Sequence, residues 1–166
     1  MFEIGEKIVY GSEGVFVVSE YASSPIDKND GRSFYILKPA HGPEGNVIFT
    51  PVDNDRVRMR AIMTREEALA FLDTVSEIEI VTVDREKSRR ERYRETMANA
   101  GCREYVSIIK TVRQRRREFL RLKKRLSEAD TEYEKKARFC LHGELASALD
   151  IPFHEVERLI CERLDA

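Results

Sequence analysis

Residues that break secondary structure crowd into the first half of this chain. Six of its eight glycines and four of its five prolines precede residue 80, and beyond it only Gly101, Gly143 and Pro152 interrupt the sequence. Short apolar runs divided by Gly and Pro read as β structure, whereas long breaker-poor stretches read as helix. The pattern predicts a strand-rich front and a helical back. With 166 residues, 42% of them hydrophobic, the chain has material for one domain or two small ones and is too apolar to be wholly disordered. No apolar run approaches the roughly 18–20 residues that span a bilayer, and the opening MFEIGEK lacks the apolar stretch of a signal peptide. The expectation is a soluble cytoplasmic protein with no membrane association.

The front contains five β-branched or aromatic runs: KIVYG (7–11), GVFVVSEY (14–21), SFYILK (33–38), NVIFTPV (46–52) and VRMRAI (57–62). Gly11 and Gly14 bracket a tight turn, Asn29-Asp30-Gly31 is a hairpin signal, and a further turn falls at 41–45. Five strands in about 60 residues suggest a curled antiparallel sheet closed into a small barrel of the SH3, Tudor or KOW kind. Thr64 followed by Glu67 has the form of a capping box, opening a helix with Ala68, Leu69, Phe71, Leu72 and Val75 on its apolar side.

In the back, Tyr93 and Met97 are spaced i, i+4 within a charged stretch, and Gly101 ends that pattern. Tyr105, Ile108, Ile109 and Val112 then form one face of a second helix, opposite Lys110, Arg113, Arg115, Arg116 and Arg117. A third helix is predicted from Asp130 or Thr131, burying Tyr133, Ala137, Cys140, Leu141, Leu145 and Ala148. A fourth opens at Pro152 and buries Val156, Leu159, Ile160 and Leu164. The expected fold class is α+β: an N-terminal Tudor/SH3-like barrel (1–62), a helix and linker (63–80) and an all-α bundle (81–166).

The net charge of −1 conceals strong segregation. Residues 1–80 carry 8 basic and 14 acidic side chains; residues 85–125 carry 16 and 5; residues 126–166 carry 5 and 10. Local charge decides what a surface attracts. The stretches SRRERYR (88–94) and KTVRQRRREFLRLKKR (110–125) gather cations on consecutive helices, and Glu118 is the one acid in 113–125. Pairing within that helix cannot balance them, so the pattern points to phosphate binding, in which each neutralised phosphate releases counterions. The bland counterpart is a solvated face that the acidic tail folds back upon and partly neutralises.

Catalytic signatures are absent. His41, His142 and His154 are far apart, and no HExxH, GxSxG or phosphate-loop pattern occurs. Asp53 and Asp55 read as turn residues. Cys102, Cys140 and Cys161 lack CxxC spacing, so neither a disulfide framework nor a cysteine metal site is suggested. In 145–160, Ala146, Asp150 and Val156 have helix-turn-helix-like spacing, but Glu155, Glu157 and Glu162 on the would-be reading helix repel phosphate.

The opening MFEIGEKIVYGSEGVFVV, the PVDN at 51–54 with the following VRMRAIMT, RRERYRETM (89–97), YVSIIKTVRQRRRE and GELASALDIP together resemble the CarD/CdnL family of bacterial transcription regulators, almost end to end and in order. The resemblance implies a Tudor-like barrel that docks on the RNA polymerase β subunit and a helical domain that touches promoter DNA beside the melted region. It implies no enzymatic activity and no cofactor. The docking edge falls at Val47, Ile48, Phe49 and Thr50, and period two lets only one of Ile48 and Phe49 point inward. The DNA-backbone contacts fall on Arg89, Arg90, Arg92, Lys110, Arg113, Arg116 and Arg117. Many relatives carry a Trp just before the RRxRY-like run, thought to wedge at the edge of the DNA bubble; this chain has none, and Arg89 or Thr82 aligns there. The expected function is modulation of open-complex stability. The competing classes are a helical scaffold without a nucleic-acid role and an autonomous helix-turn-helix-like DNA binder.

Overall fold

The computed structural model describes residues 1–165, which divide into two compact units at Ile62/Met63. The first is a five-stranded antiparallel sheet: β1 (Lys7–Tyr10), β2 (Val15–Ser23), β3 (Ser33–Pro39), β4 (Ile48–Pro51) and β5 (Met59–Ala61), in spatial order β4-β3-β2-β1-β5. Alternation places Ile8, Phe16, Val18, Tyr35 and Leu37 on the buried face, with Phe2, Tyr10, Ile48, Val52 and Met59 packed around them. The β1–β2 turn needs glycine at Gly11: its φ is +50°, and a Cβ there would lie 2.9 Å from Val57 Cγ1. A bulge between Val18 and Glu20 bends β2 along β3.

The sheet departs from the expected closed barrel. β4 and β5 are edge strands at opposite ends of it and do not pair with each other. Both are short, four and three residues, and β4 ends in Pro51, which has no N–H to donate to a further strand.

The second unit is helical. α1 (Arg65–Thr74) opens on the expected capping box, Thr64 Oγ1 accepting from the Glu67 N–H while the Glu67 carboxylate accepts from the Thr64 N–H. Its stripe is narrower than predicted, since Ala68, Leu72 and Val75 are buried while Leu69 faces water. There follow α2 (Arg89–Ala98), α3 (Cys102–Arg121), α4 (Glu128–Leu149) and α5 (Phe153–Leu164). α4 is the central post, packed against the other four helices. It starts ahead of the predicted Asp130 because Ser127 caps it: Ser127 Oγ accepts from the Asp130 N–H at 3.2 Å and the Asp130 carboxylate reaches back to the Ser127 N–H at 3.3 Å. Its far end closes on Asp150 in the left-handed region (φ +54°), and Pro152 caps α5. The core joins Tyr93 and Met97, Tyr105, Ile108, Ile109 and Val112, Leu141 and Leu145, and Val156 and Ile160.

Residues 78–85, between α1 and α2, are not helical, and short 3-10 turns flank them at Val75–Glu77 and Glu86–Ser88. α3 holds this segment by side chains: Ser107 Oγ donates to the Glu79 carbonyl at 2.6 Å, and Thr111 Oγ1 accepts from the Val81 N–H at 2.7 Å. Glu144, fully buried on α4, accepts from the Met63 N–H at 3.1 Å and from the Cys102 thiol at 3.1 Å, tying the start of the unit and the start of α3 to the central post.

Candidate nucleic-acid interface

The seven basic side chains predicted to meet DNA all lie on α2 and α3, but they differ in what already occupies them. Arg89 is buried. Its Nε donates to both oxygens of Glu86 at 3.1 Å, and its Nη1 donates to the Tyr93 hydroxyl at 3.1 Å. Lys110 folds over the end of α1 and donates to the carbonyls of Val75, Ser76 and Ile78 at 3.2, 2.9 and 2.6 Å. These two side chains are committed to the protein's own acceptors.

The other five are more open and meet acids. Arg90 pairs with Glu132 at 2.5 Å and Arg92 with Glu95 at 3.4 Å. Arg116 forks onto Glu134, which Arg138 also holds at 3.1 Å. Arg113 bonds Asp165, and Arg117 lies 3.7 Å from the same carboxylate. The acidic C-terminal segment thus folds back on the basic helices and neutralises part of them. Arg90, Arg92, Arg116 and Arg117 nevertheless keep about half or more of their side-chain surface in water, Arg117 71% of it. The pairs exposed on both sides, Arg90–Glu132, Arg92–Glu95 and Arg117–Asp165, contribute little to stability and are screened by salt, so a phosphate can displace the carboxylate; Glu134 is buried and holds Arg116 more firmly.

Beneath this surface lies a buried polar network. Asp130 is fully enclosed; it accepts from the Tyr93 hydroxyl at 2.7 Å, from Arg115 Nε at 3.0 Å and from Ser127 Oγ at 3.0 Å. Arg115 also reaches Glu86 at 2.7 Å and stacks over Phe119, 4.7 Å from the ring centroid. Burial pushes the Asp130 carboxyl up, but the hydrogen bonds from Tyr93, Ser127 and Arg115 outweigh it and hold the group below its ordinary value. Burial, reinforced by that carboxylate, pushes the Tyr93 phenol up to about 12. The network positions α2 and α3 against α4 and presents no free charge.

Four cations outside the predicted set complete the picture. Arg121, Lys123, Lys124 and Arg125 are exposed and pair with no acid among the described residues. The signal for them was the run itself: the apolar stripe of α3 ends at Val112, and beyond it on the helix only Arg113, Arg115 and Phe119 are partly covered. A groove of about 380 Å³ between residues 78–82 and the α2–α3 junction mixes Arg92 and Arg103 with Glu79, Glu95 and Glu104, a balance that favours no anion.

In the sheet unit, the four residues of the predicted docking edge separate by face. Thr50 is buried and Ile48 packs on the core, whereas Phe49 is 50% exposed and Val47 is exposed in the loop before β4. Phe49 stands opposite Ile36 on an edge strand whose far side pairs with no strand among the described residues. The α4–α5 pair with helix-turn-helix-like spacing buries Ala146 and Val156, and Glu157 and Glu162 on α5 pair with Arg138 and Arg158. Compared with known proteins, the sequence matches no protein-family model and none of the curated proteins.

Proposed function

We propose that this chain is a transcription regulator of the kind its sequence resembles, which docks on the RNA polymerase β subunit through a Tudor-like N-terminal unit and lays basic helices on promoter DNA. The observation that carries the reading is the unequal neutralisation of the helical unit: its acids quench the middle of the basic stretch and leave exposed cations around α3. Phosphates supply the missing counter-charge without demanding a sequence. Arg90, Arg92, Arg113, Arg116 and Arg117 exchange carboxylate partners for phosphate oxygens, while Arg89 and Lys110 hold the helices that present them. The exposed edge of β4 supports the other half of the reading, because an unpaired strand edge offers backbone hydrogen bonds to an added strand, with Phe49 as an apolar anchor.

Docking raises the local concentration of the helical unit beside the promoter, so weak phosphate contacts suffice. Stronger contact with the open than with the closed complex shifts the equilibrium towards the open state, by no more than the difference in affinity. The full chain is expected to capture the β subunit at low salt, and Phe49→Asp to abolish capture without unfolding the sheet, since Phe49 faces solvent. Capture unaffected by the substitution, or absent in the unaltered chain, contradicts docking through β4.

A further inference from the structure

The unpaired charge of the helical unit is densest where α3 runs out of core. Val112 is its last buried residue, and the helix continues nine residues to Arg121, about 13 Å at 1.5 Å per residue. The chain then reverses through Lys123, whose φ of +55° lies in the left-handed region. The Lys123 N–H donates to the Leu120 carbonyl at 3.2 Å and the Lys124 N–H to the Phe119 carbonyl at 2.8 Å, closing the helix end. On the resulting convex corner stand Arg117, Arg121, Lys123, Lys124 and Arg125, with Leu120 and Leu122 exposed among them at 78% and 57%.

Three features set this corner apart from an ordinary helix end. Its carbonyls, which carry roughly half a negative charge at a helix C-terminus, are occupied by the closing hydrogen bonds and outweighed by Arg121, Lys123, Lys124 and Arg125 against Glu118, with Arg117 beside them 3.7 Å from Asp165. A lysine occupies the left-handed position that glycine adopts without strain. Two leucines remain in water that neither core shelters. We infer that residues 117–125 are the surface that seats in the groove of a nucleic-acid duplex, the cations on the flanking phosphates and Leu120 and Leu122 against sugar and base edges. A helix end about 10–12 Å across matches a major groove about 12 Å wide. A bilayer anchor calls for a broad apolar face, and two leucines ringed by charge do not make one. This inference rests on the proposed DNA contact and assigns its place.

The test is fluorescence anisotropy of the full chain with a labelled duplex across a salt series. Lys123→Gln/Lys124→Gln/Arg125→Gln is expected to weaken binding roughly 10- to 100-fold at low salt and to flatten the log–log salt slope by about 0.9 for each phosphate no longer neutralised. Leu120→Ser/Leu122→Ser is expected to weaken binding roughly 3- to 10-fold and leave the slope unchanged, because no counterion is involved. All five positions are exposed, so the fold is retained, and Lys123→Gly provides a further check: it relieves backbone strain, so the thermal midpoint rises while duplex affinity falls. Unchanged affinity and slope in the triple variant, with the unaltered chain binding, overturns the corner and leaves the DNA interface standing elsewhere on α2 and α3. No duplex binding by the unaltered chain, alone or with polymerase, overturns both. Tighter, leucine-dependent capture by phosphatidylserine vesicles than by duplex overturns the corner as a nucleic-acid surface.

Discussion

Asp130→Ala is expected to destabilise the helical unit by about 3–5 kcal/mol, the range for removing one partner of a buried charge pair. The carboxylate has no exposed surface and holds Tyr93 from α2, Arg115 from α3 and Ser127 at the start of α4. Deleting it strands the Arg115 guanidinium, whose remaining acid is the exposed Glu86, and leaves the buried Tyr93 hydroxyl without its acceptor. It also removes half of the α4 capping box. Asp130→Asn retains an acceptor at the same place and is expected to cost less than the alanine change. Urea unfolding followed by far-ultraviolet circular dichroism measures both. A loss below about 1 kcal/mol for the alanine variant contradicts the network's role in joining the three helices.

Acid is expected to weaken the same unit through His142. This side chain is buried on α4, edge-on to Phe153 at 5.4 Å between ring centroids, and its Nε2 has no hydrogen-bond partner among the described residues. Burial first, then the nearby Arg138, pushes its pKa down from 6.5 to about 4, with Glu157 on α5 opposing. The unfolded chain binds a proton below about pH 6.5 and the folded chain does not until about pH 4, so stability falls as pH drops through that window. The depression corresponds to a loss of about 3 kcal/mol across it. Asp130 and Glu134, whose pKa values are held down by their arginine and hydroxyl partners, add further losses as the pH falls through their own folded values. His142→Leu is expected to flatten the dependence between pH 6.5 and 4 while leaving the carboxylate losses below it. A stability curve level over this window in the unaltered chain contradicts the assignment.

The elements were legible where the signal was local. Tyr105, Ile108, Ile109 and Val112 repeat at helical spacing and are buried as that spacing demands, and Thr64 with Glu67 marks a helix start that forms. Ser127 with Asp130 carries the same kind of signal and starts α4 two residues ahead of the expected Asp130. Closure of the sheet was not legible, because it depends on whether β4 and β5 meet, and two short edge runs do not reveal that in sequence. The candidate site was legible as charge and not as geometry. Arg89 and Arg90 are neighbours of the same type, yet one is buried against Tyr93 and the other pairs at the surface with Glu132, 42 residues away. Arg89–Glu86 and Arg92–Glu95 are three residues apart and follow from local spacing, but the pairs to Glu132, Glu134 and Asp165 depend on how the later segments fold back, and spacing along α2 and α3 carries no record of those.

In the proposed role, a polymerase-docked protein lends positive charge to promoter DNA and favours the melted state. The lifetime of the open complex on one promoter, with and without the full chain, tests it most directly. A longer lifetime is expected with the unaltered chain, shortened again by raised salt and by Phe49→Asp. An identical lifetime with and without the protein, at concentrations that saturate polymerase, would contradict it.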